Sequence, residues 1–134
     1  MRRFDEVTVG EILPPLSKEA VTRVQLARYA GASGDFNPIH LDEPYAMAAG
    51  MGGVIAHGML SMAFLAEAVA RWSGPASVAR IEARFKSIVR PGDSLTVRGT
   101  VVEATEADRT VRLRLQCDNQ EGVTVTEGAA IVRL

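Results

Sequence analysis

The chain has two histidines, His40 and His57, and both stand among glycines and short polar residues rather than in an apolar run. His40 closes the segment Ser33-Gly34-Asp35-Phe36-Asn37-Pro38-Ile39-His40. A carboxylate and an imidazole that share one water form a competent acid–base pair near neutral pH, because imidazole titrates at about 6.5. Pro38 fixes its own backbone and drives Asn37 out of the helical region, so the run is expected to be a fixed turn presenting Asp35 and His40 toward one point. His57 precedes Gly58, where the longest helical pattern begins. The first N–H groups of a helix point outward and the helix dipole adds positive potential there. Glycine also lets a ligand approach the backbone closely. Such a place suits a carbonyl oxygen that gains negative charge. Adding water across a double bond conjugated to a thioester passes through an enolate-like species and needs both parts.

Other chemistries fit these residues less well. Asp35 beside Gly34 is by itself an ordinary turn residue, and a lone histidine is usually structural; their occurrence as a constellation points to an acid–base site. A metal held by Asp35, His40 and His57 is arithmetically possible, but the spacing matches no tight ligand pattern and lacks a fourth ligand, so no metal is expected. Ser61 follows His57 by four residues inside a helix and lacks the strained elbow of a nucleophile. His57 is expected to fix its loop and support the oxyanion position. Cys117 alternates with Val111, Leu113 and Leu115 and belongs in the core; Met47, Met51, Met59 and Met62 read as adaptable packing.

The elements that must position these groups fall into three textures. Residues 5–21 read as an extended segment broken by Pro14-Pro15. Residues 22–73 read as helices and glycine-rich loops. Thr22-Arg23-Val24-Gln25 has capping-box spacing and opens a short helix, which Gly31 and Gly34 are expected to end. A second short helix starts at Asp42 with Pro44 in its first turn and stops at Gly50. The third spans Gly58 to Trp72, carries the i,i+4 pair Glu67 and Arg71, and is apolar nearly all round, so burial on most sides is expected. Residues 77–134 alternate with period two. One face takes Ala79, Ile81, Ala83, Phe85, Ser87 and Val89, with Arg84 and Lys86 on the polar face. Arg90-Pro91-Gly92-Asp93 makes a turn, and strands at Leu95–Val101, Val111–Cys117 and about Val123–Arg133 follow. Short polar links predict an antiparallel meander. The sheet is expected to wrap the long helix in one α+β domain covering residues 1–134.

Bulk properties exclude several classes. Fifteen basic and 16 acidic residues leave a net charge of -1, which gives no field for nucleic acid or an anionic membrane. No signal peptide is visible at Met1-Arg2-Arg3-Phe4-Asp5-Glu6, and no apolar run approaches the roughly 20 residues of a membrane span. Cys117, the one cysteine, has no internal partner, and a reducing cytoplasm is the default location.

The run Tyr29-Ala30-Gly31-Ala32-Ser33-Gly34-Asp35-Phe36-Asn37-Pro38-Ile39-His40, followed after five residues by Ala46, resembles the signature of the MaoC-like, or hydratase 2, family. Ala56-His57-Gly58-Met59-Leu60-Ser61 is similar to that family's helix start. Phe4-x-x-Val7-x-Val9-Gly10 and Val89-x-x-Gly92-Asp93 also fit, so the likeness covers essentially the whole chain. The resemblance implies a hot-dog fold, a curved antiparallel sheet around one long helix, assembled as a homodimer or larger. It implies an (R)-specific enoyl-CoA hydratase in which Asp35 and His40 activate water for syn addition and the Gly58 N–H binds the thioester carbonyl. Asn37 would hold the loop, His57 and Ser61 would lie on the substrate-binding side, and Arg84 and Lys86 would meet the pantetheine phosphates. Which of Asp35 and His40 is the formal base stays open. No cofactor is implied beyond the coenzyme A or acyl carrier that belongs to the substrate. The chain also resembles the catalytic subunit of heterodimeric (R)-3-hydroxyacyl-carrier-protein dehydratases, which work with a second hot-dog subunit. A hot-dog thioesterase and a non-catalytic thioester-binding module are the more distant alternatives.

Overall fold

We describe residues 2–134 of a computed structural model. Helix α1 (Arg23–Ser33) opens where Thr22 Oγ1 accepts the Gln25 N–H at 3.0 Å. It runs through Gly31 and ends at Gly34, which adopts φ 74° and donates to Ala30 O at 2.9 Å. Gly31 therefore does not stop the helix. A single interior glycine costs only about 1 kcal/mol, and the last turn is held by buried Ala30 and by Ser33 Oγ donating to Tyr29 O at 2.7 Å. Helix α2 (Glu43–Ala48) is capped by Asp42 Oδ1, which accepts the Tyr45 N–H at 3.0 Å, with Pro44 in its first turn as expected. Helix α3 (Gly58–Ser73) is the longest, a rod of about 24 Å. Glu67 and Arg71 pair along it at 2.7 Å, and Lys18 joins them at 2.7 Å from Glu67.

Five antiparallel strands form one sheet: β1 (Leu16–Lys18), β2 (Val78–Phe85), β3 (Leu95–Thr105), β4 (Thr110–Asp118) and β5 (Thr124–Arg133), in the order β1-β3-β4-β5-β2. The meander holds for β3, β4 and β5 but not for β2, which pairs with β5 at the far edge. The connection at 86–94 is no hairpin. Its turn is bound elsewhere: Gly92 N–H donates to Val21 O at 2.7 Å, Val21 N–H to Asp93 O at 2.9 Å, and Ala56 N–H to Val89 O at 2.8 Å. Strand β2 ends at Phe85, short of the alternation's limit at Val89, where the Lys86 and Ser87 N–H groups converge on Val125 O at 2.8 and 3.3 Å and break the ladder. A bulge between Val78 and Arg80 breaks the simple alternation at its start.

Helix α3 lies against the inner face of β2–β5, with Leu65 and Val69 fully buried. A Cβ on Gly128 would stand 2.6 Å from Glu82 O and 2.7 Å from Leu65 Cδ1, so the absent side chain lets helix and strands approach. Of its sixteen residues only Gly58, Met59, Ala63 and Arg71 are exposed. The other twelve are buried or half-buried, so the helix is covered on most sides, as its nearly continuous apolar surface implies. Cys117 sits in the core, and burial pushes its thiol up to about 12. No helix among the described residues is long and apolar enough to cross a membrane.

Candidate active site

The loop between α1 and α2 is a chain of short turns. Ser33 Oγ accepts the Asp35 N–H, Asp35 Oδ1 the Asn37 N–H, and Asn37 Oδ1 the Ile39 N–H, each at 3.2 Å. Asn37 thereby caps a 3-10 turn at Pro38–His40, with Pro38 in its first position. These are the local bonds that Ser, Asp and Asn make when the backbone leaves a helix. The loop is then tied to the stretch before α3: Ile55 N–H donates to Ile39 O at 3.1 Å, and His40 Nδ1 lies 2.8 Å from Ile55 O.

A carbonyl oxygen only accepts, so His40 Nδ1 carries a proton, and in the neutral form of the ring Nε2 holds the free lone pair. That nitrogen stands 3.9 Å from Asp35 Oδ2. The imidazole is 8% exposed, while the Asp35 side chain is half exposed. The pair thus joins a sheltered imidazole to a carboxylate that solvent reaches.

His57 connects this loop to α3. Its Nε2 donates to Asp35 O at 3.1 Å, its ring stacks on His40 with centroids 3.8 Å apart, and Tyr29 lies 4.8 Å away on a tilt. It is 2% exposed, and its Nδ1 has no hydrogen-bond partner. Its side chain does not cap α3, so the outermost N–H groups of the first turn remain available to a ligand. Ser61 Oγ donates to Gly58 O at 2.7 Å and sits 2.7 Å from Thr126 Oγ1. Because its own proton is committed, Ser61 accepts from Thr126 and pins the first turn of α3 to β5; it makes no bond to an imidazole.

Asp35, His40 and His57 offer ligand atoms within 4.8 Å of one another. The two rings are stacked with an interplanar angle of 26°. A metal binds an imidazole nitrogen in the ring plane, so one ion would require a ring to turn and abandon its carbonyl. The donor set does not fit a metal as it stands.

A cavity of about 350 Å³ opens beside His40, His57, Gly58 and Ser61. Its other wall comes from Phe85, Lys86, Ser87, Ile88 and Val89, with Thr126 beneath. Lys86 stands there because β2 ends one residue earlier, and its Nζ is 3.7 Å from Glu127. Arg84 is not brought to the cavity. It is still within β2, exposed, opposite Glu127 and beside Glu82. Thr126 and Phe85 carried no local signal in the sequence, since each belongs to an ordinary strand pattern and reaches the cavity only through the β2–β5 pairing.

A family model described as MaoC like domain matches residues 8–123. The (R)-specific enoyl-CoA hydratase of Rhodospirillum rubrum is 34% identical over 131 residues, spanning 96% of this chain and 89% of its own. The R-hydratase PhaJ1 of Pseudomonas aeruginosa, in its unliganded form, superposes with a TM-score of 0.87 at 33% identity, covering 97% of this chain and 83% of its own. The (R)-hydratase of A. caviae involved in PHA biosynthesis gives 0.88 at 28% identity, over 96% and 98% of the two chains. With the five-stranded sheet packed on α3 and the Asp35–His40 loop at its end, the chain belongs to the MaoC-like hydratase and dehydratase family and has the hot-dog fold.

Proposed function

We propose that the protein is an (R)-specific enoyl-CoA hydratase that reversibly adds water to trans-2-enoyl-CoA, giving (R)-3-hydroxyacyl-CoA. The observation that carries this reading is the 3.9 Å gap between Asp35 Oδ2 and His40 Nε2. It is too long for a direct hydrogen bond and suits two groups that share one water, each at about 2.8 Å. Asp35 orients that water, and the bare His40 Nε2 takes its proton as the oxygen attacks the β-carbon. The double-bond electrons move toward the thioester oxygen, which the Gly58 N–H and the N-terminal end of α3 stabilise. The proton held at Nε2 then passes to the α-carbon from the same side, so both elements of water arrive syn. Asn37 and His57 hold the carboxylate and the imidazole in register. The reaction is redox-neutral and uses neither a metal nor a redox cofactor.

The carrier in this reading is coenzyme A, with Lys86 at the cavity mouth meeting pantetheine phosphates as a point charge. An acyl carrier protein, with a second hot-dog subunit, is the alternative. The working unit is at least a homodimer: exposed Phe36, Met59, Phe85 and Ile88 and the free edge of β2 are the surfaces a second copy would cover. A fully active monomer by mass measurement would contradict this.

The test is hydration of crotonyl-CoA, followed as loss of the enoyl absorbance, by Asp35→Asn and His40→Gln. Each should fall by about a hundredfold or more with circular dichroism unchanged. A folded variant running at the parent rate would overturn the mechanism.

A further inference from the structure

Phe85 takes no part in the proton transfers, yet it makes an unusual contact. It ends an edge strand and is 50% exposed, yet one side of its ring is turned to α3. A Cβ built on Gly58 would stand 3.1–3.2 Å from three carbons of that ring, so the ring lies broadside against the first turn of α3. Its cross-strand partner is Thr126, bonded to Ser61 on the same turn. Gly58 has no positive φ. A side chain at position 58 would press on that ring.

We propose that Phe85 is the specificity-determining wall beside the thioester group and restricts substitution at the substrate's α-carbon. The inference rests on the hydratase reading, in which the thioester oxygen accepts the Gly58 N–H. The carbonyl carbon then carries two neighbours close to Gly58, the sulfur and the α-carbon. Sulfur is the same in every acyl thioester, so the α-carbon is the one variable position that a wall at this turn can sense. A methyl there must displace the ring, whereas a hydrogen need not. The far end of the acyl chain lies away from Gly58 and is not governed by this contact.

The experiment compares kcat/KM for crotonyl-CoA and its α-methyl homologue, 2-methylcrotonyl-CoA, in the parent, Phe85→Leu and Phe85→Ala. One methyl against a rigid wall is worth about tenfold or more in discrimination. The parent's preference for the unbranched substrate should therefore collapse by at least about tenfold in Phe85→Ala, with Phe85→Leu between. If Phe85 merely props the helix turn, both substrates fall together and the ratio stays fixed, which would overturn the proposal while leaving the hydratase reading intact. A parent that fails to hydrate crotonyl-CoA would overturn both. Phe85→Leu keeps the test decisive should the alanine variant fold poorly.

Discussion

From Ser33 to Ile39 the side-chain hydrogen bonds that turn the candidate-site loop link residues two apart, and long-range bonds from Ile55 and His57 then anchor it. Across the cavity, the bond that fixes the facing wall joins Ser61 to Thr126, 65 residues away. The turns within the loop are local and follow from its own Ser, Asp and Asn side chains. The wall exists only when β2 has crossed the sheet to pair with β5. Damage to the wall should therefore appear first as lost stability, and damage to the loop as lost catalysis in a protein that still folds.

The largest expected effect lies on the tertiary side. Leu65→Ala removes a fully buried side chain between α3 and the sheet and should cost about 2–5 kcal/mol in urea unfolding. Turnover per folded molecule should change little. A comparable loss of kcat with unchanged stability would erase the contrast.

Asn37→Ala is the counterpart in the loop. It deletes the cap on the Pro38–His40 turn, a loss of about 1 kcal/mol, but it also frees the segment between the two reacting groups. We expect kcat to fall about tenfold, since small misplacements of reacting groups are costly, with KM nearly constant. Stability falling while kcat holds would show that the loop is positioned from outside rather than by its own bonds.

The smallest effect is electrostatic and belongs to the seam between the regions. The Val54 N–H, and then Arg23, hold the Glu43 carboxyl below its ordinary 4.5 against some desolvation. A lowered carboxyl stabilises the fold above the unfolded-state value and loses that contribution as pH falls through its folded value. Glu43→Gln should thus lower the melting temperature slightly at neutral pH and flatten the acid side of the curve from 4.5 downward. Because the group is exposed, added salt should shrink the Arg23 part of the difference. An unchanged acid limb would remove Glu43 as the pin between α2 and the Val54 backbone.

Legibility in the sequence followed the same division. Thr22, Asp42 and the Pro44 position located two helices because capping is decided within a few residues. Gly31 misled because one glycine cannot outweigh a helix turn held by Ala30 and Ser33. Arg90-Pro91-Gly92-Asp93 is the turn its residues imply, yet it does not join neighbouring strands, since its backbone groups bind Val21 rather than a hairpin partner. Arg84 and Lys86 share a strand face by parity, but the strand stops between them and only Lys86 reaches the cavity.

Local sequence is enough to mark the chemical pieces: Asp35 and His40 on a proline-fixed turn, Gly58 at a helix start, and a core of alternating strands over one long helix. Those follow from backbone restriction and period, which act over a few residues. Long-range packing sets the Ile55 carbonyl against His40 Nδ1, which selects the nitrogen left free, and lays His57 on His40. It alone brought Phe85 and Thr126 to Gly58 and Ser61. The physical reason is register: which residues face each other across strands distant in the chain is chosen by the packing of the whole sheet on α3, and no local pattern encodes it.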